Sequence, residues 1–424
     1  MPDPAPTAPG PLRGRLLVAI LVTVLVGLVG VAIGVTSGPT GDEDRRAPSS
    51  SPAAATTPPP TGTTPTTPAD IAGFPSSTCA PATVAADSAL GLGLPRPARL
   101  AQPGPEQSAF TAALGCLQRI TGRTPILRTQ LPIDALRRTS ATDDERSELT
   151  AFAALLVQHG APGVVSIRSH DFTACGSGDR PEPEERTSLA AGEALGRCQY
   201  PSPELYRQLF AEIANAVAAA APNAALQYTA WNEPDHPDFT LEPALGRNGA
   251  ARRAGEYWTQ AAAVVGADHV LAGEFADHDL ATLLTLRGAF VEGTGGVAPL
   301  AWAIHPYRDL TAGSGFSVLD GFAKAVAPAP VWDTEVTPRL SGEGGLTGDP
   351  SAQFARGGAL RSALAAPGRR VVLYLLTPPP PPATRVADHW DSALADREGR
   401  ARPFVCGLAG LPAADCPGDP AAYG

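Results

Sequence analysis

Two glutamates 102 residues apart stand at the ends of apolar, strand-like segments: Glu233 in Trp231-Asn232-Glu233-Pro234 and Glu335 in Val331-Trp332-Asp333-Thr334-Glu335. Two carboxyl groups brought together from separate strands can cleave a glycosidic bond. One stays protonated and donates to the leaving oxygen, while the other stays ionised and attacks the anomeric carbon, so each needs its own surroundings. Between them, Trp302-Ala303-Ile304-His305-Pro306-Tyr307 closes a third such segment. His305 and Tyr307 lie two apart and can face one mouth, where a phenol beside a carboxylate donates to it and keeps it ionised. Asn232 is placed to hydrogen-bond a sugar hydroxyl, a contact that strengthens as the oxocarbenium-like transition state forms. Trp231 lies two positions before Glu233, on the same strand face by the two-residue period. Trp231, Trp302 and Trp332 all lie within five residues of this chemistry, and indole faces stack on sugars.

Positioning such residues needs repeated strand ends on one rim. From residue 79 onward, short β-branched runs alternate with Ala/Leu/Arg-rich segments of helical period, the pattern of repeated βα units. Candidate strands are 89–94, 125–130, 164–167, 226–230, 270–272, 300–304, 330–334 and 371–376, with helices at 148–159, 205–221, 256–265 and 280–290. The expected fold class is α/β, a (β/α)8 TIM barrel over residues 78–424, with its chemistry at the C-terminal ends of the strands. The 48 residues after the last strand leave no room for a further domain of ordinary size. Alternation puts Asp333 on one face with Glu335, and Trp332 and Thr334 on the other. Asp333 is therefore the rival nucleophile, but its deeper position favours Glu335, because inward side chains there fill a barrel instead of meeting substrate. Residues 176–203 are polar and rich in Pro and Gly, bracketed by Cys175 and Cys198, and read as a long disulfide-closed loop that shapes the substrate site.

Together the three runs resemble clan A of the retaining glycoside hydrolases, with families 39 and 5 the nearest likenesses. The likeness covers residues 164–404, including the closing run Trp390-Asp391-Ser392-Ala393-Leu394-Ala395-Asp396 with Arg402-Pro403. It implies Glu233 of strand four as general acid/base, Glu335 of strand seven as nucleophile and Tyr307 of strand six as the donor to that nucleophile. It also implies His305 as a subsite histidine. The arginine expected near strand two is Arg128, and Arg168 and His170 end strand three. Where clan members often carry an aromatic platform after strand eight, Tyr374-Leu375-Leu376-Thr377 runs into five prolines. Tyr374 or Trp390 is left to replace the platform.

Composition bounds the partners. A formal net charge of −10 disfavours nucleic acid, and 43 % hydrophobic residues suffice for an ordinary core. The only lysine, Lys324, follows alanine, so no phosphate-binding Gly-Lys loop exists. No Gly-x-Ser-x-Gly elbow or zinc-site histidine spacing occurs, and no cofactor is implied. Residues 16–35 form an uncharged Leu/Val/Ile run long enough to span a bilayer of roughly 30 Å. It reads as a retained transmembrane helix after a cytoplasmic 1–15, with a cleaved signal peptide as the alternative. Residues 36–77 are a Pro/Thr/Ser-rich disordered tether. All six cysteines lie beyond the span, which puts the barrel outside the cell. Their pairing is left open, with Cys79–Cys116, Cys175–Cys198 and Cys406–Cys416 as the working assignment. The expected protein is a single-pass, monomeric, outward-facing retaining glycosidase acting on a poly- or oligosaccharide. A non-catalytic glycan-binding barrel and a transglycosylase using the same carboxylates are the alternatives.

Overall fold

The computed structural model describes residues 79–137, 144–169, 175–176, 180–313, 315–340, 346, 349–376, 393–396, 401–412 and 416. The chain divides into two units, Met1–Thr64 and Pro65–Gly424, and every described residue lies in the second. The expected span 16–35 and tether 36–77 lie outside the described residues. Among those described, no helix is long and apolar enough to cross a membrane.

Eight parallel strands close a barrel: β1 (Ala89–Gly93), β2 (Ile126–Pro132), β3 (Gly163–Arg168), β4 (Leu226–Thr229), β5 (Val270–Phe275), β6 (Trp302–Ile304), β7 (Val331–Val336) and β8 (Arg370–Leu373). Each pairs with the strand before and after it in sequence, and β8 returns to β1. A helix follows every barrel strand, beginning with Pro97–Leu100 and Pro105–Thr121 after β1 and ending with Pro403–Ala409. The expected (β/α)8 architecture is therefore present.

Sequence accounts for these elements locally. Helix Pro203–Ala220 starts where the Ser202 hydroxyl accepts from Leu205 N at 3.3 Å, with Pro203 opening the first turn. It buries Leu205, Leu209, Phe210, Ile213 and Val217 at helical spacing against the barrel. Inside the barrel, Ile126, Val164, Leu271, Ala303, Trp332 and Val372 form one apolar layer at the N-terminal end. The Arg370 guanidinium lies over the Trp332 ring, 4.7 Å from its centroid. Polar side chains occupy the layers above.

Three disulfides, Cys79–Cys116, Cys175–Cys198 and Cys406–Cys416, match the working assignment. The loop closed by Cys175–Cys198 carries a strand, Glu184–Arg186, that pairs with Gln199–Pro201. It is moored to helix Leu241–Val265 by Arg253 Nη1 on Glu185 Oε1 at 2.7 Å, and to the end of β2 by Leu195 N donating to Asp134 at 2.8 Å.

Candidate active site

The sites begin with the strand ends. Strand β4 stops at Thr229, and the next residues are stitched to both neighbours: Asn232 N donates to Ile167 O at 2.6 Å and Glu233 N to Glu274 O at 2.9 Å. Glu233 and Glu274 are the non-glycine residues of positive φ among those described, at 43° and 58°. Each such backbone costs on the order of 1 kcal/mol, and the hydrogen bonds around the turn hold it there.

Register shifts aim two of the carboxylates. On β7, Asp333 lies opposite Val371 of β8 but Val336 lies opposite Leu373, so β7 carries one extra residue between them. Trp332 packs in the inner apolar layer, which turns Asp333 to the outside of the barrel. The expectation that Asp333 shares a face with Glu335 is thus corrected, and the bulge is the reason: it breaks the two-residue period and returns Glu335 to the mouth. On β5, Gly273 lies opposite Ala303 and Phe275 opposite Ile304, a second bulge that brings Glu274 inward.

At the mouth, Glu335 accepts from three side chains. Arg128 Nη1 reaches Oε2 at 2.8 Å, Gln130 Nε2 reaches the same oxygen at 2.9 Å, and the Tyr307 hydroxyl reaches Oε1 at 2.6 Å. Burial and the charge of Glu335 push the Tyr307 phenol well up, so it remains a proton donor. Arg128, wholly buried, also gives Nη2 to Asn232 Oδ1 at 2.7 Å and to Glu274 Oε1 at 2.9 Å, and Nε to Ser166 at 2.9 Å. Glu274 further accepts from Ser166 at 2.8 Å and from Thr229. Although burial pushes its carboxyl up, the Arg128 and His305 charges and the Thr229 hydroxyl bring it down to about 2.

Glu233 is the more open of the three, with its side chain 15 % exposed, and His305 Nδ1 lies 2.8 Å from its Oε1. His305 is fully buried, and its Nε2 faces Glu274 Oε1 at 3.6 Å. Desolvation disfavours the charged imidazole, but Glu335, Glu233 and Glu274 outweigh it and raise the ring to about 10. Burial likewise pushes Glu233 up, and the His305 hydrogen bond and charge overcome it and lower the carboxyl.

Of the residues singled out in the sequence, Glu233, Glu335, Asn232, His305, Tyr307 and Arg128 converge on this mouth. Trp231 and Trp302 do not, and their expected roles as sugar platforms are corrected. Strand alternation no longer applies beyond Thr229, and Trp231 packs against Tyr257 and Tyr206 at 5.3 and 6.4 Å between sheet and helices. Trp302 precedes an inward residue and so faces outward onto Phe290 and Phe322. His170 and Trp390 lie outside the described residues. Tyr374, just after β8, is half-buried, and burial and the charges of Glu335 and Glu233 push its phenol up. Sequence reading missed Gln130, Ser166, Thr229 and Glu274. Period two from Arg128 would have found Gln130, whereas Glu274 is hidden by its bulge.

A scan against protein-family models and a search of curated proteins return no match. Solved structures do match in shape. The GH39 enzyme from Xanthomonas axonopodis pv. citri superposes with TM-score 0.50 at 15 % identity, covering 78 % of this chain and 67 % of that one. The GH39 β-xylosidase from Caulobacter crescentus gives 0.50 at 15 %, covering 78 % and 72 %. The GH53 catalytic domain from Ignisphaera aggregans gives 0.50 at 13 %, covering 80 % and 98 %. The chain shares the barrel fold of these enzymes. Within that barrel, the carboxylates at the ends of β4 and β7 occupy the rim where this architecture concentrates its chemistry.

Asp333 has no hydrogen-bond partner for either oxygen among the described residues, and burial together with Asp309 raises its carboxyl well above the usual range. A carboxyl of raised folded affinity costs stability as pH climbs from its unfolded value of about 3.9 toward the folded one. Asp333→Asn is therefore expected to gain melting temperature over the wild type at pH 7 relative to pH 4. Each tenfold change in proton affinity is worth about 1.4 kcal/mol, or roughly 2–4 °C. Thermal melts across that range check it, and a gap independent of pH would mean that Asp333 is ionised in the fold.

Proposed function

We propose that this protein is a retaining glycoside hydrolase with Glu335 as nucleophile and Glu233 as general acid/base. The observation that carries the reading is the asymmetry of the two carboxyl groups: Glu335 receives three donors, and Glu233 a single histidine nitrogen with part of its side chain open. Arg128, Gln130 and Tyr307 donate to the Glu335 carboxylate and fix its orientation without competing for the anomeric carbon. Glu335 attacks that carbon while Glu233 protonates the departing oxygen, leaving a glycosyl ester on Glu335. Glu233 then takes a proton from water as the water displaces the ester. The shape likeness to glycoside hydrolases of families 39 and 53 supports this reading.

The substrate is a polysaccharide of the cell envelope or its surroundings, and the barrel works as a monomer outside the membrane on its N-terminal tether. Three disulfides support an oxidising compartment, and the net charge of −10 supports a neutral glycan over a polyanion. Release of reducing ends from envelope and plant oligosaccharides tests the activity. On the responding sugar, Glu233→Gln should cut turnover of an alkyl or sugar leaving group by roughly 10²–10⁴-fold. The same variant should retain most of its first-step rate on the 2,4-dinitrophenyl glycoside, whose leaving group needs no proton. Equal losses on both substrates would remove Glu233 from the acid role.

A further inference from the structure

Glu274 is wholly buried, and its carboxylate accepts four hydrogen bonds, two from Arg128 and one each from Ser166 and Thr229. It shares Arg128 with Glu335, and it lies on the far side of the His305 ring from Glu233. The line runs from Glu274 Oε1, 3.6 Å to Nε2, across the imidazole, then 2.8 Å from Nδ1 to Glu233 Oε1. Nδ1 is within hydrogen-bond distance of Glu233, whereas Nε2 makes no hydrogen bond among the described residues and has the Glu274 carboxylate as its charged neighbour 3.6 Å away. A neutral imidazole has one N–H, so either tautomer would set a nitrogen lone pair against a carboxylate. Resting on the glycosidase reading, we propose that Glu274 is a positioning residue that holds His305 doubly protonated, and that the resulting cation sets Glu233 as a strong acid suited to acidic surroundings.

His305 is faced by Glu335, Glu233, Glu274 and, through the strand, Asp333. Glu233 is faced by His305, His236, Arg128, Tyr307 and Tyr374. Arg128 is already committed to Glu274 and Glu335, and the two phenols are neutral donors, so the buried imidazolium is the cation in hydrogen-bond contact with Glu233. With Nδ1–H directed at Oε1, the proton for the leaving group resides on Oε2. It passes to the glycosidic oxygen as the carbon–oxygen bond breaks, and Glu233 recovers it from the attacking water in the second step. His305 keeps both of its protons throughout.

Activity requires Glu233 protonated, so the alkaline limb of kcat/KM reports its proton loss. Removing the cation should move that limb upward by roughly one to three pH units. Glu274→Gln and His305→Gln are both expected to do so, and the double variant to go no further than His305→Gln alone. Reduced activity of Glu274→Gln with its limb unmoved would make Glu274 mere scaffolding, and an additive double variant would break the line through His305. A second measurement needs no turnover. In ¹⁵N-histidine spectra of the full wild-type chain, one of the seven histidines should keep both ring nitrogens protonated from pH 5 to pH 8, and it should be the signal absent from His305→Gln. If all the histidines turn neutral below pH 7, the proposal falls whether or not the protein proves to be a glycosidase. If the doubly protonated signal is present but no glycan is cleaved, the glycosidase reading and the acid-setting role built on it fail while the carboxylate-held imidazolium stands.

Discussion

Glu335→Gln is expected to abolish turnover, by at least about 10⁴-fold in kcat, while leaving the melting temperature within a few degrees of the wild type. The amide keeps the volume of the carboxylate, and Arg128 retains Glu274 as a charge partner, so the fold loses one ion pair of several. What it loses chemically is the electron pair that bonds to the anomeric carbon. The Arg128 and Gln130 donors at Oε2 and the Tyr307 donor at Oε1 also require acceptors at both positions, and an amide supplies one. A nucleophile can be told from a base by rescue. Glu335→Ala with azide should recover activity and release a glycosyl azide of configuration opposite to the wild-type product, because the small anion attacks from the face the carboxylate has vacated. A wild-type product of inverted configuration would remove the nucleophile assignment, since a retaining pair of carboxyl groups works at about 5–5.5 Å and passes through two inversions.

The barrel was legible in the sequence because its signal is repeated. Eight apolar runs at regular intervals carry the period of the fold even when single boundaries drift, as with helix 256–265, which begins at Leu241 in the structure. The site was legible where a motif closes a strand directly, as for Glu233, His305, Tyr307 and Glu335. It failed where the backbone leaves its period. Alternation assigned Trp231 to the mouth, but the turn that gives Glu233 its φ of 43° lies between them. Alternation also put Asp333 beside Glu335, and the extra residue on β7 separates them. Glu274 sits at a φ of 58° inside a bulge, where neither apolar pattern nor motif marks it. These three failures fall where the chain departs from ideal geometry to aim a carboxylate. Local irregularity of this kind is set by partners distant in sequence, such as Arg128, 146 residues from Glu274, and no window along the chain contains both.

Arg128 is where fold and site meet, and its removal should damage both. Five N–H groups in one plane serve Ser166, Glu274, Asn232 and Glu335, drawn from β3, β5, the turn after β4 and β7. The surrounding carboxylates raise its proton affinity despite burial that opposes the charge, so it is a cation at any pH the fold survives. Arg128→Met leaves Glu274 buried without its counter-ion and Glu335 with two neutral donors. Breaking such a pair from one side costs about 3–5 kcal/mol, a fall in melting temperature on the order of 10 °C. Turnover should collapse alongside it, since Asn232 and Glu335 lose the group that fixes their spacing. Arg128→Lys should restore part of the stability and little of the activity, because a single ammonium cannot reach four acceptors at once. Removing the charge from both sides separates the two effects. Arg128→Met combined with Glu274→Leu replaces a buried ion pair with apolar volume, which should recover much of the lost melting temperature. The double variant should stay inactive, since Glu335 is still without its guanidinium and His305 is without Glu274. A single Arg128→Met chain that melts with the wild type would show that the network does not hold the barrel's polar centre, and an active one would show that it does not hold the nucleophile.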